Sequence, residues 1–136
     1  MGTTFVEVTM TNILDEGYAR DGYIKPEDIR SVTVKAIVDT GAMSLIIPEE
    51  LRLKLGLRII GDSITKIADG RRVACKVTEG VRFSWKNRFE LLSAVVIPGA
   101  EDVLLGAIPL EALDVMVNPV TQELVGIHGE EALYRA

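Results

Sequence analysis

The triplet Asp39, Thr40 and Gly41 combines residue types and a position that could do chemistry. The aspartate ends an apolar segment, residues 36–38, and the chain enters a second apolar segment at residues 45–47. An ionised carboxylate is costly in apolar surroundings, so its presence there indicates a role that requires the charge. Threonine adds a hydroxyl that can hydrogen-bond a neighbour, and glycine allows another backbone to come close. The alternative is a plain turn between two strands, in which Asp39 has only a structural role.

The composition excludes several other kinds of site. The chain has 136 residues, a net charge of −5, one cysteine (Cys75) and one histidine (His128). An acidic chain without a basic patch is unsuited to nucleic acid, and a single histidine excludes a His-rich metal site. We therefore expect no metal, no cofactor and no disulfide. Because the sequence shows neither a signal-peptide pattern nor an apolar run near the roughly 18 residues of a membrane span, we expect a cytoplasmic protein without membrane contact.

Short apolar segments separated by turn residues predict an all-β fold with one or two short helices, in a single domain covering residues 1–136. We expect a long surface loop at about residues 15–28, with a short turn at 26–28, and a tail at about residues 128–136. Asp69 and Gly70 give the strongest hairpin signal in the chain. The predicted strands are 5–11, 31–38, 45–47, 64–67, 72–77, 81–85, 89–97, 103–106, 115–117 and 123–125, and the predicted helical turns are 48–56 and 108–113.

Three segments resemble parts of one family. The sequence Val38-Asp39-Thr40-Gly41-Ala42 resembles the active-site loop of the retropepsin-like (clan AA) aspartic proteases. Leu104-Leu105-Gly106, about 65 residues downstream, is similar to the hydrophobic-hydrophobic-Gly segment that packs beneath that loop in the family. The hairpin tip Ala68-Asp69-Gly70 looks like the flap that closes over substrate. The resemblance covers about residues 32–125 and is strongest to small bacterial and archaeal single-domain members.

The resemblance implies a retropepsin-like acid-protease half-barrel that is active as a homodimer. It implies that Asp39 is catalytic, that Thr40 hydrogen-bonds across the two-fold axis, and that Gly41 bonds the substrate backbone. Leu104, Leu105 and Gly106 would support the loop. The residues expected to line the substrate cleft are Ala42, Met43, Ala68, Asp69, Gly70 and Ile108. The sequence departs from many retroviral members at Met43, where they carry an acidic residue, and in having one flap glycine.

Peptide hydrolysis by this chemistry needs two carboxylates that share one proton around a single water. The chain has one such motif, because no other aspartate begins a second Asp-Thr/Ser-Gly triplet. The second carboxylate must then come from another copy, related by a two-fold axis. We expect an aspartic endopeptidase acting on peptide or protein substrates. The alternative is a non-catalytic peptide-binding or interaction module on the same dimeric fold, and a third reading is a structural β-domain with no dimer centred on Asp39.

Overall fold

The computed structural model describes residues 3–129 of the chain, so the expected tail beyond residue 129 lies outside the described residues. None of the helices within this range has the length and apolar character needed to cross a lipid bilayer. The described elements are, in chain order, β1 (Phe5–Asn12), α1 (Ile13–Arg20), a 3₁₀ turn (Pro26–Asp28), β2 (Ser31–Val38), β3 (Leu45–Ile47), α2 (Glu49–Leu55), β4 (Ile59–Lys66), β5 (Arg72–Trp85), β6 (Arg88–Val96), β7 (Leu104–Leu105), α3 (Ala107–Ala112), β8 (Val115–Asn118) and β9 (Glu123–Gly126).

Six of these strands close into a barrel. The hydrogen-bonded order is β1-β2-β7-β3-β6-β5, and a β1–β5 pairing joins the two ends. Strand β4 pairs with β5 outside this ring, and β8 and β9 form a separate two-stranded sheet. The predicted all-β architecture with short helices is confirmed. Closure removes the free edges of the six strands, while one edge of β4 has no strand partner among residues 3–129.

The barrel interior is filled mainly by branched aliphatic side chains. Along β1 the burial alternates, so that Val6, Val8 and Met10 face inward while the intervening side chains are more exposed. Strand β5 contributes Phe83, a fully buried aromatic residue in the same cluster. Each such side chain stabilises the fold by about 1.5–3 kcal/mol relative to an exposed one. Aromatic residues make up 5% of the chain, and the core is filled mainly by packed Val, Ile and Leu.

The prediction of a surface loop at residues 15–28 is wrong for the first part of that range, because α1 covers Ile13–Arg20. Asn12 caps this helix, its side-chain oxygen accepting a hydrogen bond from the Asp15 amide at 3.0 Å. Acidic residues in the first turn and Arg20 in the last turn both suit the helix dipole. The expected turn at residues 26–28 is confirmed as the 3₁₀ turn. A second difference is that residues 72–85 form one long strand, β5, where two strands were predicted.

Candidate active site

Asp39 lies immediately after β2, where backbone hydrogen bonds to the segments on both sides of β2 hold the chain. The Val38 amide donates to the Thr4 carbonyl and the Asp39 amide donates to the Leu105 carbonyl, each at 2.9 Å. β2 and β7 run parallel, with Val38 opposite Leu105. Because two adjacent strands fix the backbone on either side, Asp39 begins its loop from a rigid position.

The loop itself turns back so that its own amides contact Asp39. The Gly41 amide donates to the Asp39 carboxylate at 3.1 Å, and the Ala42 amide donates to the Asp39 carbonyl at 3.1 Å. The first of these bonds orients one carboxylate oxygen. The Asp39 side chain is partly exposed and Thr40 is exposed, so the carboxylate is accessible from the protein surface.

Gly106 lies directly beneath this loop. Three consecutive amides reach loop carbonyls: Gly106 donates to Ser44 at 2.9 Å, Ala107 to Ala42 at 2.9 Å and Ile108 to Met43 at 2.8 Å. A Cβ atom on Gly106 would lie 2.4 Å from the Met43 carbonyl carbon, which is closer than non-bonded atoms can approach. The structure thus brings Leu105 and Gly106, two of the three predicted supporting residues, against the loop that carries Asp39. Leu104 pairs with Ile37 of β2 and Ile46 of β3.

The hairpin of β4 and β5 also contacts this loop. A Cβ atom on Gly41 would lie 2.9 Å from the Ala68 carbonyl oxygen, so Ala68 of the hairpin tip sits against the active-site loop. Gly70 has a φ of 88°, a conformation that favours glycine, as the tight turn requires. Asp69 hydrogen-bonds the Arg71 amide and guanidinium, at 2.9 and 2.7 Å, and these bonds lower the pKa of its carboxyl. Asp69 therefore shapes the tip.

The other residues expected to line a substrate cleft occupy different environments. Met43 and Ile108 are both about half exposed and are joined by their backbone hydrogen bond, so together they present an apolar surface beside the loop. Ala42 is 1% exposed as a whole residue and packs with Ile46 and Cys75. Its amide and its carbonyl are hydrogen-bonded to Asp39 and Ala107, so Ala42 is directed into the core and not into an open cleft. Burial raises the pKa of the Cys75 thiol, as expected of a structural cysteine.

A groove of about 500 Å³ opens beside Asp39. Among the described residues that line it, Asp39 is the single acidic one. The lining residues are Thr3, Thr4, Ile37, Val38, Asp39, Thr40, Val117, Pro119 and Gln122. Within residues 3–129, no group of three or more His, Cys, Asp and Glu side chains is placed to bind a metal ion.

Two polar residues of the site had no signal in the sequence. The Ser44 and Thr65 hydroxyls lie 2.6 Å apart, joining the loop that carries Asp39 to the β4–β5 hairpin. Thr65 is 5% exposed although it belongs to the otherwise largely exposed strand β4. Two hydroxyl residues separated by 21 positions carry no pattern of their own. They could have been paired only by knowing where the hairpin folds.

Comparisons with known proteins agree with this geometry. The aspartyl protease family model matches residues 26–107, more than half of the chain. Among solved structures, the retroviral protease-like domain of Ddi1 from Leishmania major is similar, with a TM-score of 0.55 and 16% sequence identity. That alignment covers 92% of this chain and 88% of the Ddi1 domain chain. A search of curated proteins gave no match. The retropepsin-like fold implied by the sequence motifs is confirmed, and the chain belongs to the aspartyl protease family.

Proposed function

We propose that the protein is an aspartic endopeptidase that works as a homodimer and activates a water molecule between two Asp39 carboxylates, one from each chain. The observation that carries this proposal is the placement of Asp39, whose amide is fixed by Leu105 and whose carboxylate is oriented by the Gly41 amide. Membership of the aspartyl protease family supports the same chemistry.

In this mechanism the two carboxylates hold one proton between them. The ionised Asp39 removes a proton from the water, which attacks the carbonyl carbon of the scissile peptide bond. The protonated Asp39 hydrogen-bonds the carbonyl oxygen and stabilises the charge that develops there. Collapse of the tetrahedral intermediate then breaks the C–N bond, and a proton passes to the leaving amine. By resemblance to the family, Thr40 hydrogen-bonds across the two-fold axis and Gly41 bonds the substrate backbone.

The homodimer is proposed because one chain supplies too few acids for this chemistry. Asp39 is the single carboxylate among the described residues of its groove, whereas the reaction needs two within reach of one water. A two-fold axis beside Asp39 and Thr40 would place the same residues of a second chain opposite them. The exposed hydroxyl of Thr40 and the groove-lining residues Thr4, Val117 and Pro119 lie on the side that such a partner would cover.

The non-catalytic peptide-binding module stays an alternative, because folds of this kind do not by themselves determine activity. The two functions share the cleft and the dimer and differ only in turnover. A substrate would lie extended beneath the flap in either case, since a β-rich cleft binds peptides by strand addition.

The deciding experiment compares the wild-type protein with Asp39→Asn on a diverse peptide library, from about pH 3.5 to about pH 7.5, with new termini read by mass spectrometry. We expect cleavage by the wild type and a loss of at least about 100-fold in the variant, because a carboxamide cannot act as the base. Asp102→Asn, the same chemical change at an exposed aspartate, is the matched control and should cleave normally.

Equal cleavage by wild type and Asp39→Asn would exclude Asp39 as the catalytic group. Absence of cleavage in both, with peptides still captured by the wild type, would favour the binding module. Circular dichroism and sedimentation of both proteins check that the substitution leaves the fold and the association state unchanged.

A further inference from the structure

We propose that Ser44 and Thr65 form a latch that holds the flap closed on the active-site loop of its own chain, so that substrate can bind only after the latch opens. This inference rests on the proposed function, because it assumes that peptides bind along that loop. The flap is here the β4–β5 hairpin between Ile64 and Val73, and the latch is the hydrogen bond between the two hydroxyls.

Three contacts place the flap alongside the loop. The Ser44 and Thr65 hydroxyls are 2.6 Å apart, and the Met43 amide donates to the Lys66 carbonyl at 3.2 Å. The position of a Cβ on Gly41 is within 2.9 Å of the Ala68 carbonyl oxygen. As the loop advances from Gly41 to Ser44, its neighbour on the flap moves back from Ala68 to Thr65. This is the register of an antiparallel pair.

The closed flap occupies groups that an extended peptide would use. Strand addition requires free backbone donors and acceptors along one edge. In the closed form the Met43 amide is already bonded to Lys66, and Ala68 lies against Gly41. A peptide running beside residues 41–44 would have to displace the end of β4. The flap therefore competes with substrate for the same backbone edge.

The latch is placed so that it can hold this state. Thr65 is buried although its neighbours on β4, Ile64 and Lys66, are exposed, so its hydroxyl points into the contact with Ser44. β4 is the last strand of its sheet, and within the described part of the chain it pairs with β5 alone. The Asp69–Arg71 contacts close the tip into a tight turn within the hairpin. Losing one hydrogen bond shifts an opening equilibrium by roughly 2- to 10-fold, which is enough to change flap populations.

The first test locks the latch with a disulfide. In the double variant Ser44→Cys and Thr65→Cys the two sulfur atoms replace hydroxyls that already touch, and a disulfide needs Cβ atoms about 3.5–4.5 Å apart. We expect the bond to form on mild oxidation of the folded protein, to reduce peptide cleavage at least about 10-fold, and to release activity on reduction. The two single-cysteine variants are the matched controls and should not respond to oxidation, because Cys75 is buried.

Each outcome of this test has a separate meaning. Failure of the disulfide to form in the folded protein would show that the flap does not rest on the loop, and would overturn the latch whether or not the protein cleaves peptides. A disulfide that forms but leaves cleavage unchanged would overturn the gating role. If wild type and reduced variant are both inactive, the proposed function fails, while disulfide formation still reports the closed flap.

A second test does not depend on activity. Amide hydrogen exchange of Met43 reports its bond to Lys66. The double variant Ser44→Ala and Thr65→Val should exchange at Met43 roughly 2- to 10-fold faster than the wild type. Thr33→Val removes the comparable hydroxyl pair between Thr33 and Thr9, 2.9 Å apart on the barrel, and should leave Met43 unchanged. An unaltered Met43 rate in the double variant would contradict the latch.

Discussion

Gly106 determines how closely the chain can approach the loop that carries Asp39. Its amide bonds Ser44, and the space where a Cβ would lie is taken by the backbone of Met43 and Ala42. Glycine is required at position 106 for a steric reason alone, because the backbone φ of Gly106 is −79°, which any residue can adopt. Gly41 is in a similar position, because the Ala68 backbone of the β4–β5 hairpin approaches it closely. The loop that carries Asp39 thus contacts two other backbone segments, and each contact is made at a glycine, Gly106 or Gly41.

Gly106→Ala should destabilise the fold by about 1–3 kcal/mol, because the added methyl group must push the Met43 backbone aside. It should also reduce peptide cleavage by about 100-fold, since a displacement of about 1 Å at a catalytic loop has that effect. Gly61→Ala is the control, because a Cβ at Gly61 meets nothing within 4 Å. Urea unfolding and initial cleavage rates measure the two effects, and equal behaviour of both variants would contradict this account.

At the scale of elements, helix α1 is anchored to the start of β2 by one partly buried ion pair. The Asp15 carboxylate accepts hydrogen bonds from the Arg30 guanidinium at 2.8 and 2.9 Å and from the Arg30 amide at 2.9 Å. The Arg30 side-chain hydrogen bonds lower the pKa of Asp15, against the opposing effect of its burial. Because the charged form is favoured in the folded state, this pair stabilises the protein when Asp15 is ionised.

Asp15→Asn should therefore reduce the free energy of unfolding by about 1–3 kcal/mol near neutral pH. The sign of the pH dependence follows from the lowered pKa of Asp15 in the folded protein. The extra stability of the wild type over the variant is complete above the ordinary Asp pKa of about 4, and it is lost as the pH falls through the lowered pKa of the folded state. Urea unfolding near pH 7 and pH 3, at one protein concentration, measures both. Glu49→Gln weakens the pair between the half-exposed Glu49 and Arg52 within one turn of α2 and should cost less than about 1 kcal/mol. An Asp15→Asn deficit that persists unchanged at low pH would contradict the assignment.

The sequence predicted most strands but not α1, and the reason is visible in its residues. Alternating or continuous apolar runs reproduced β2 and β3, because burial on a sheet leaves that periodic pattern. Gly17 and Gly22 instead made the region of α1 resemble a loop. The usable signal was Asn12 as an N-cap, followed by acids in the first turn and Arg20 in the last. The contact of α1 with Arg30 is tertiary and left no local pattern.

The candidate site could be predicted where it depends on short motifs. The triplet of Asp39 and the segment ending at Gly106 were recognisable because each has a distinctive composition, and the structure brings them into contact. The latch of Ser44 and Thr65 could not be foreseen, because it depends on how far the flap folds down. Ala42 was expected to line the cleft, but the turn after Asp39 directs its side chain into the core.

At the scale of the whole molecule, one barrel supplies half of the proposed catalytic machinery. The barrel is closed and needs no partner to bury its core, so a homodimer would be required by the chemistry and not by folding. The groove beside Asp39 fits a site shared between two chains, because its described lining residues are apolar, hydroxyl and amide residues around the one Asp39 carboxylate. If both chains contribute Asp39, a dimer with one altered chain has no complete site.

This requirement gives a quantitative prediction for mixed dimers. When wild type and Asp39→Asn are refolded together in equal amounts, random pairing makes about one quarter of the dimers fully wild type. Cleavage should then fall to about one quarter of that of the same total amount of wild-type protein, and should follow the square of the wild-type fraction at other ratios. Refolding with Asp102→Asn, whose side chain is exposed and outside the groove, should leave the rate unchanged. A rate that falls in direct proportion to the wild-type fraction would show that each chain acts with its own groups, and the shared site would have to be abandoned.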